Sequence, residues 1–245
     1  KGIGILEGER DYVIVQKLVD YLSTMEYWHD EDSGMWEEDQ EVHASSIGAC
    51  VAGLEAVKDM EGIEVHPNLI KNGYAALAKL LPRESPRKFV DLALLSLIWP
   101  YEVTNKKQTE EILKNVEYHL LRTKGVIRYK GDAYYNKNLD NYSEEAEWTF
   151  GLAWLAIIYG KLGKKKKAKE FLDKTVKTVS KTGEVPELYY SNTNNPNDNM
   201  PLGWSESLFI TALYTVNNMH MKLKVGDLKK RAKAAKGKKK VAKKK

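Results

Sequence analysis

The chain has 245 residues and a single cysteine, Cys50. That excludes an internal disulfide and a cysteine-rich metal site, and it fits a reducing compartment, so a cytoplasmic location is expected. No apolar run approaches the roughly 20 residues needed to span a bilayer; the longest candidate, Gly151–Tyr159, belongs in a helix core. The histidines, His29, His43, His66, His119 and His220, show neither H-x-x-x-H nor H-E-x-x-H spacing, so no metal is expected. Glycines cluster at Gly2, Gly4 and Gly8, but no strand precedes them as a phosphate-cradling loop requires, and no cofactor is expected. The chain begins at Lys1 without a charged-then-apolar leader, so a signal peptide is absent or lies upstream. No fixed repeat length favours a tetratricopeptide-like array.

What is present is ordinary for a soluble domain with its own core: 42% hydrophobic and 30% charged residues. The net charge of +5 hides two regions of opposite sign, because Leu228–Lys245 alone carries eleven positive residues and no acid. The body is therefore mildly acidic. The tail is expected to repel itself into disorder and to attract polyanions without specificity, since no aromatic is interleaved for base stacking. This divides the chain into a folded domain over 1–222 and a lysine-rich tail over 223–245.

Helical periodicity recurs along the body. Tyr12–Met25 places Val13, Val15, Leu18, Val19 and Leu22 on one stripe. His43–Lys58 is rich in Ala and Gly, which lets a neighbouring helix approach closely. His66-Pro67 opens a helix that ends at Pro82. Pro86–Pro100 is apolar nearly all round, which predicts a helix buried on every side. Lys106–Arg122 is amphipathic, Glu145–Leu162 mostly apolar, and Lys164–Ser180 sets lysines against Ala168, Phe171, Leu172, Val176 and Val179. Pro201 begins the last helix, where its missing N–H has no partner to lose. About eight helices and no convincing strand result, joined alternately by short turns and long polar loops. That alternation fits stacked helical hairpins, or a generic bundle or solenoid.

The long loops concentrate carboxylates beside aromatic residues: Trp36 with Glu37 and Glu38; Arg128 with Tyr129, Asp132, Tyr134 and Tyr135; Glu147 with Trp148; Glu187 with Tyr189 and Tyr190; and Trp204. Hydrolysis of a glycosidic bond needs one carboxylic acid for the leaving oxygen and a second carboxylate for water or for the anomeric carbon. Aromatic faces and fixed polar groups hold sugar rings. Taken alone, such residues are as readily solvated acids and packed tyrosines as a sugar site.

Four motifs in order decide more. DSGMWEE (Asp32–Glu38) is followed by HASSIGACVAGLEAV, then GVIRYKGDAYYN with EAEWTFGLAWLAIIYGKLG, then GEVPELYY and PLGWSESLFITAL. The set resembles the catalytic domain of glycoside hydrolase family 15, the glucoamylases and glucodextranases, over most of Tyr12–Val216. The resemblance implies an all-α (α/α)6 toroid, of which this chain would supply about the last eight of twelve helices, and an exo-acting enzyme that releases glucose from α-linked glucans or oligosaccharides with inversion. It implies Glu37 as general acid, Glu187 as general base and Glu38 as a substrate-holding partner. Trp36, Arg128, Tyr129, Asp132, Tyr135, Glu147, Trp148 and Trp204 would meet the sugar. Trp36 and apolar neighbours would desolvate Glu37 and keep it protonated, and inversion would set the two carboxylates roughly 6.5–9.5 Å apart. Leu188 stands where bacterial members often carry glutamine. The family's upstream Arg-Asp motif has no counterpart, since Arg10-Asp11 lacks the surrounding aromatics, and the chain is expected to be the C-terminal portion of a longer protein.

The α and β regulatory subunits of phosphorylase kinase share the toroid resemblance and the V-P-E-L-Y segment found at Val185–Tyr189. A non-catalytic carbohydrate-binding or regulatory role is the alternative. His43, close behind the acid loop, is either a pocket wall or simple packing.

Overall fold

A computed structural model describes residues 8–135 and 145–218. The first glycines, His220, part of the 125–143 loop and the lysine tail, with the disorder and polyanion attraction expected of it, lie outside the described residues. The chain falls into two compact units: Lys1–Glu147 with Tyr190–Asn192, and Trp148–Tyr189 with Thr193–Lys245. Among the described residues are eight α-helices, one 3-10 turn and two strands of two residues each, and no helix is long and apolar enough to cross a membrane.

In the first unit, α1 (Glu9–Met25) shows the expected period but not the expected burial. Only Val19 is buried; Val13 and Leu18 are 48% and 58% exposed. The covered face runs along Val15, Val19 and Leu22, so the expected stripe is buried only in part. α2 (Ala44–Val57) and α3 (Pro67–Leu80) pack together, with Pro67 in the first helical turn and the His66 ring accepting from Asn68 N–H at 3.2 Å. The small residues of α2 do allow close approach: a Cβ built on Gly48 would lie 2.1 Å from Leu97.

The helix expected over 86–100 is not formed as such. Glu84 N–H and Ser85 N–H both donate to the Lys88 carbonyl, closing a turn around Pro86. Asp91 then pairs as an isolated bridge with Tyr129, Leu92 N–H donates to the Arg128 carbonyl at 2.7 Å, and the Asp91 carboxylate caps Ala93 N–H. Helical hydrogen bonding begins only at the 3-10 turn Leu92–Leu94 and its continuation α4 (Leu95–Ile98). The burial reading holds, since Leu92, Leu94, Leu95 and Leu97 are fully buried. α5 (Lys106–His119) opens on a capping box in which Asn105 and Gln108 each bond the other's backbone N–H at 3.0 Å.

In the second unit, α6 (Phe150–Lys161) is buried along every residue from Phe150 to Gly160, and α7 (Lys165–Val176) and α8 (Gly203–Asn217) pack against it. Two helices start later than their sequence suggests. Residues 145–149 are not helical: strand β1 (Glu147–Trp148) occupies part of them, and Thr149 N–H is committed to the Glu187 carbonyl. Pro201 stands two residues before α8, in an extended approach where Leu202 N–H donates to the Val185 carbonyl. At the end of α7, Val176 is 48% exposed while Thr175 and Thr178 are buried in its place, each hydroxyl donating to a carbonyl of the preceding turn. Strand β2 (Leu188–Tyr189) completes the elements.

Candidate active site

The first unit gathers most of the expected sugar contacts around one turn. Asp32 Oδ1 accepts from Gly34 N–H at 2.5 Å and from the Ser46 hydroxyl at 2.9 Å, which folds residues 33–38 back on themselves. Gly34 has φ +65°, and a Cβ there would meet the His43 ring at 2.8 Å, so only glycine fits. Glu37 N–H donates to the Gly34 carbonyl and Glu38 N–H to the Ser33 carbonyl. Glu37 itself takes φ +55°, a left-handed conformation that costs a non-glycine residue on the order of 1 kcal/mol.

The turn sends its side chains apart. Glu37 is exposed. Trp36 does not wall it in as expected, because the indole N–H donates to Asp91 Oδ1 at 2.8 Å and the ring lies under the Arg128 guanidinium at 5.3 Å. Glu38 is held on both oxygens: Oε1 accepts from Tyr129 OH at 2.8 Å and Arg128 Nη2 at 3.1 Å, and Oε2 from Lys88 Nζ at 2.6 Å. Burial works against its charge, but the hydrogen bonds from Lys88 and Tyr129 and the charges of Lys88 and Arg128 outweigh it and hold the carboxyl below the usual range.

Arg128 is buried and forks onto the fully buried Asp132, Nε to Oδ2 and Nη2 to Oδ1, both at 2.6 Å. Lys88 also sits over the Tyr129 ring at 3.9 Å, and Arg128 over Tyr134 at 5.0 Å. Burial and the bond to Glu38 push the Tyr129 phenol well above its ordinary value. Tyr135 packs edge-on against Tyr134 and lies near Tyr190, with centroids 6.4 Å apart. Glu147 is placed differently: it is 1% exposed, with its oxygens accepting the backbone N–H groups of Lys124 at 2.6 Å and Asn192 at 3.1 Å, so it acts as a strut of this unit.

His43 is packing rather than an open wall. It is 4% exposed and brings Nδ1 to 3.5 Å from Glu84 Oε1, which also accepts from the Ser45 hydroxyl at 2.5 Å. Burial pulls the imidazole's pKa down, and the hydrogen bond and charge of Glu84 with the charge of Asp32 raise it above the ordinary value.

The second unit carries Glu187, Trp148 and Trp204. Glu187 N–H and carbonyl are both fixed, to the Asn199 carbonyl at 3.1 Å and from Thr149 N–H at 3.2 Å. Its carboxylate, half-buried, accepts two side-chain amides on the same oxygen, Oε2: Asn197 at 2.6 Å and Asn199 at 2.7 Å. Trp204 stacks on Phe150 with centroids 4.3 Å apart and leaves 40% of its surface open, while Trp148 is buried against Phe150.

The sequence matches the profile of Glycosyl hydrolases family 15 over residues 7–220. The chain belongs to this family. An uncharacterised glycosyl hydrolase of Methanocaldococcus jannaschii is 25% identical over 250 residues, which cover 85% of this chain and 39% of that protein. A probable phosphorylase b kinase regulatory subunit alpha of Caenorhabditis elegans is 28% identical over 259 residues, 85% of this chain and 21% of that one. Among solved structures, a bacterial glucoamylase complexed with acarbose matches with a TM-score of 0.63 at 16% identity, over 86% of this chain and 39% of that one. This last likeness shows the fold, the all-α architecture of the glucoamylase (α/α)6 toroid, of which the chain spans a part. The chain thus spans 39% or less of the length of each of these proteins.

Within this family 15 fold, four side chains touching the expected residues were not foreseen from sequence. Lys88 and Asp91 lie in the segment that reads as helix, and Asn197 and Asn199 in a loop that reads only as polar. For Lys88 and Asp91 a signal existed: charged residues flanking an apolar run are seldom buried without a partner.

Proposed function

We propose that the chain is the acid- and base-bearing portion of an inverting glycosidase that releases glucose from the ends of α-linked glucans or oligosaccharides. Glu37 protonates the departing oxygen, and Glu187 draws a proton from the attacking water. Glu38, Arg128 and Tyr129 form the sugar-gripping wall, braced from behind by the buried Asp132; of the further contacts the resemblance assigns, Trp36, Tyr135 and Trp204 line the sugar, while the buried Glu147 and Trp148 support the wall rather than touch it. The observation that carries this reading is the contrast within one turn. Glu38 is bound on both oxygens by three donors, while the neighbouring Glu37 is held exposed on a left-handed backbone. A solvated acidic loop has no reason to maintain that difference.

The reaction is single displacement. The C–O bond to the leaving sugar breaks as its oxygen takes the Glu37 proton; water adds at the anomeric carbon from the opposite face and loses its proton to Glu187. The fixed amides on Glu187 Oε2 hold the carboxylate in place while charge develops.

The relation to phosphorylase kinase regulatory subunits favours a second reading, sugar binding without hydrolysis. The test is glucose release from maltose, isomaltose and trehalose by the protein carrying this chain, by Glu37→Gln and by Glu187→Gln, with the anomer followed by proton NMR. Release of β-glucose that both variants lose supports the enzyme. Equal hydrolysis by wild type and Glu37→Gln removes Glu37 from the mechanism, and sugar binding without release supports the regulatory role.

A further inference from the structure

Beneath the turn that carries Glu37 lies a carboxyl group that none of the expected sugar contacts accounts for. Asp91 is 0% exposed. Its Oδ1 accepts from the Trp36 indole at 2.8 Å and from Ala93 N–H at 2.7 Å, and its Oδ2 meets no hydrogen-bond partner among the described residues. Through its backbone the same residue bridges Tyr129, while Leu92 N–H, next in sequence, donates to the Arg128 carbonyl. Asp91 therefore joins the turn carrying Trp36, Glu37 and Glu38 to the segment whose side chains grip Glu38.

Packing alone does not call for a carboxyl in this place. An amide oxygen would accept the same two N–H groups without burying an ionisable group, which is unfavourable unless the charge does something. The charged groups facing it are Glu84, itself buried, and Lys88, whose ammonium is bonded to Glu38; His43 stands behind Glu84. Burial and the Glu84 charge push the Asp91 carboxyl up to about 7, against the bonds from Ala93 and Trp36 and the charge of Lys88. An ionised acceptor holds an N–H roughly twice as strongly as a neutral one.

We propose that Asp91 is a positioning residue, whose ionised carboxylate anchors the Trp36 indole and with it the Ser33–Glu38 turn, and that proton uptake by Asp91 weakens the anchor. The bearing on hydrolysis rests on Glu37 being the acid; the hold on Trp36 does not.

Indole N–H NMR of protein labelled with 15N-tryptophan tests it without any substrate. The Trp36 resonance is identified by its loss in Trp36→Phe and followed from about pH 5 to about pH 9, a range that spans the ordinary histidine pKa. It should move downfield with a midpoint at about 7, stop titrating in Asp91→Asn, and titrate still in His43→Gln. A wild-type resonance that is flat across the range overturns the proposal even if Asp91→Asn fails to fold, and so does the same titration in Asp91→Asn. In the hydrolysis assay at about pH 8, Asp91→Asn should lose about tenfold in kcat with KM little changed. Unchanged kcat in a variant whose Trp36 no longer titrates overturns the positioning role alone. Unimpaired hydrolysis by Glu37→Gln overturns the reading of Glu37 and leaves the Trp36 titration standing.

Discussion

Arg128 grips Asp132 with two parallel hydrogen bonds, both 2.6 Å, and extends a third at 3.1 Å to Glu38. The fork geometry belongs to guanidinium and no other side chain. Removing it with Arg128→Ala leaves a fully buried carboxylate without its counter-charge, and the loss in denaturant-unfolding free energy should be about 3–5 kcal/mol. Arg128→Lys keeps the charge but not the fork, so its loss should fall between wild type and Ala. Equal stability of wild type and Lys would show that the charge alone suffices.

Two glycines of α2 should respond to alanine with opposite signs. A Cβ on Gly48 collides with the buried Leu97, and overpacking of that kind costs about 1–3 kcal/mol. Gly53 is exposed with nothing within 4 Å of a built Cβ, so Gly53→Ala should stabilise by about 0.5–1 kcal/mol through helix propensity. Thermal unfolding of the two variants against wild type measures the difference, and a shift of the same sign in both would contradict this packing.

How far the sequence discloses such detail varies by element. α3, α5 and α7 are legible because one apolar stripe, a first-turn proline or a polar N-cap marks them. The 86–100 segment is not, because an apolar run fits a buried extended chain as well as a buried helix. There the competing partner is remote in sequence: the Arg128 carbonyl takes the Leu92 N–H. The resemblance implies Arg128, Tyr129 and Glu38 as sugar contacts, but the hydrogen bonds that tie them to one another are seen only in the structure. The part played by Lys88 and Asp91 is not implied at all, since their partners are set by that same irregular segment.

The His43–Glu84 pair should make stability depend on pH. The imidazole's pKa is raised in the folded chain, so its contribution is fully present below the ordinary histidine value of about 6.5 and is lost as pH rises through the higher folded value. His43→Gln should therefore be destabilising in mild acid and less so in mild alkali. Urea midpoints of both proteins at a series of pH values test the sign; a difference that grows with pH would refute the pairing.

Asn199 is exposed, so Asn199→Ala should fold normally while removing one donor from Glu187. A hydrogen bond to a charged group contributes about 1.5 kcal/mol, which corresponds to roughly tenfold in rate where it positions a reacting group. Steady-state hydrolysis of maltose should show that loss in kcat with KM little altered. A change confined to KM would place Asn199 in sugar binding instead.

The two amides on Glu187 converge on a single oxygen, so the carboxylate has two chemically unequal ends. Oε2 shares its lone pairs with two N–H groups, whereas Oε1 takes neither amide. In the proposed reaction such a base would have a direction as well as a position: the proton leaving water would go to the oxygen that takes neither amide, and the approach of that water would be selected before any bond to carbon begins to form.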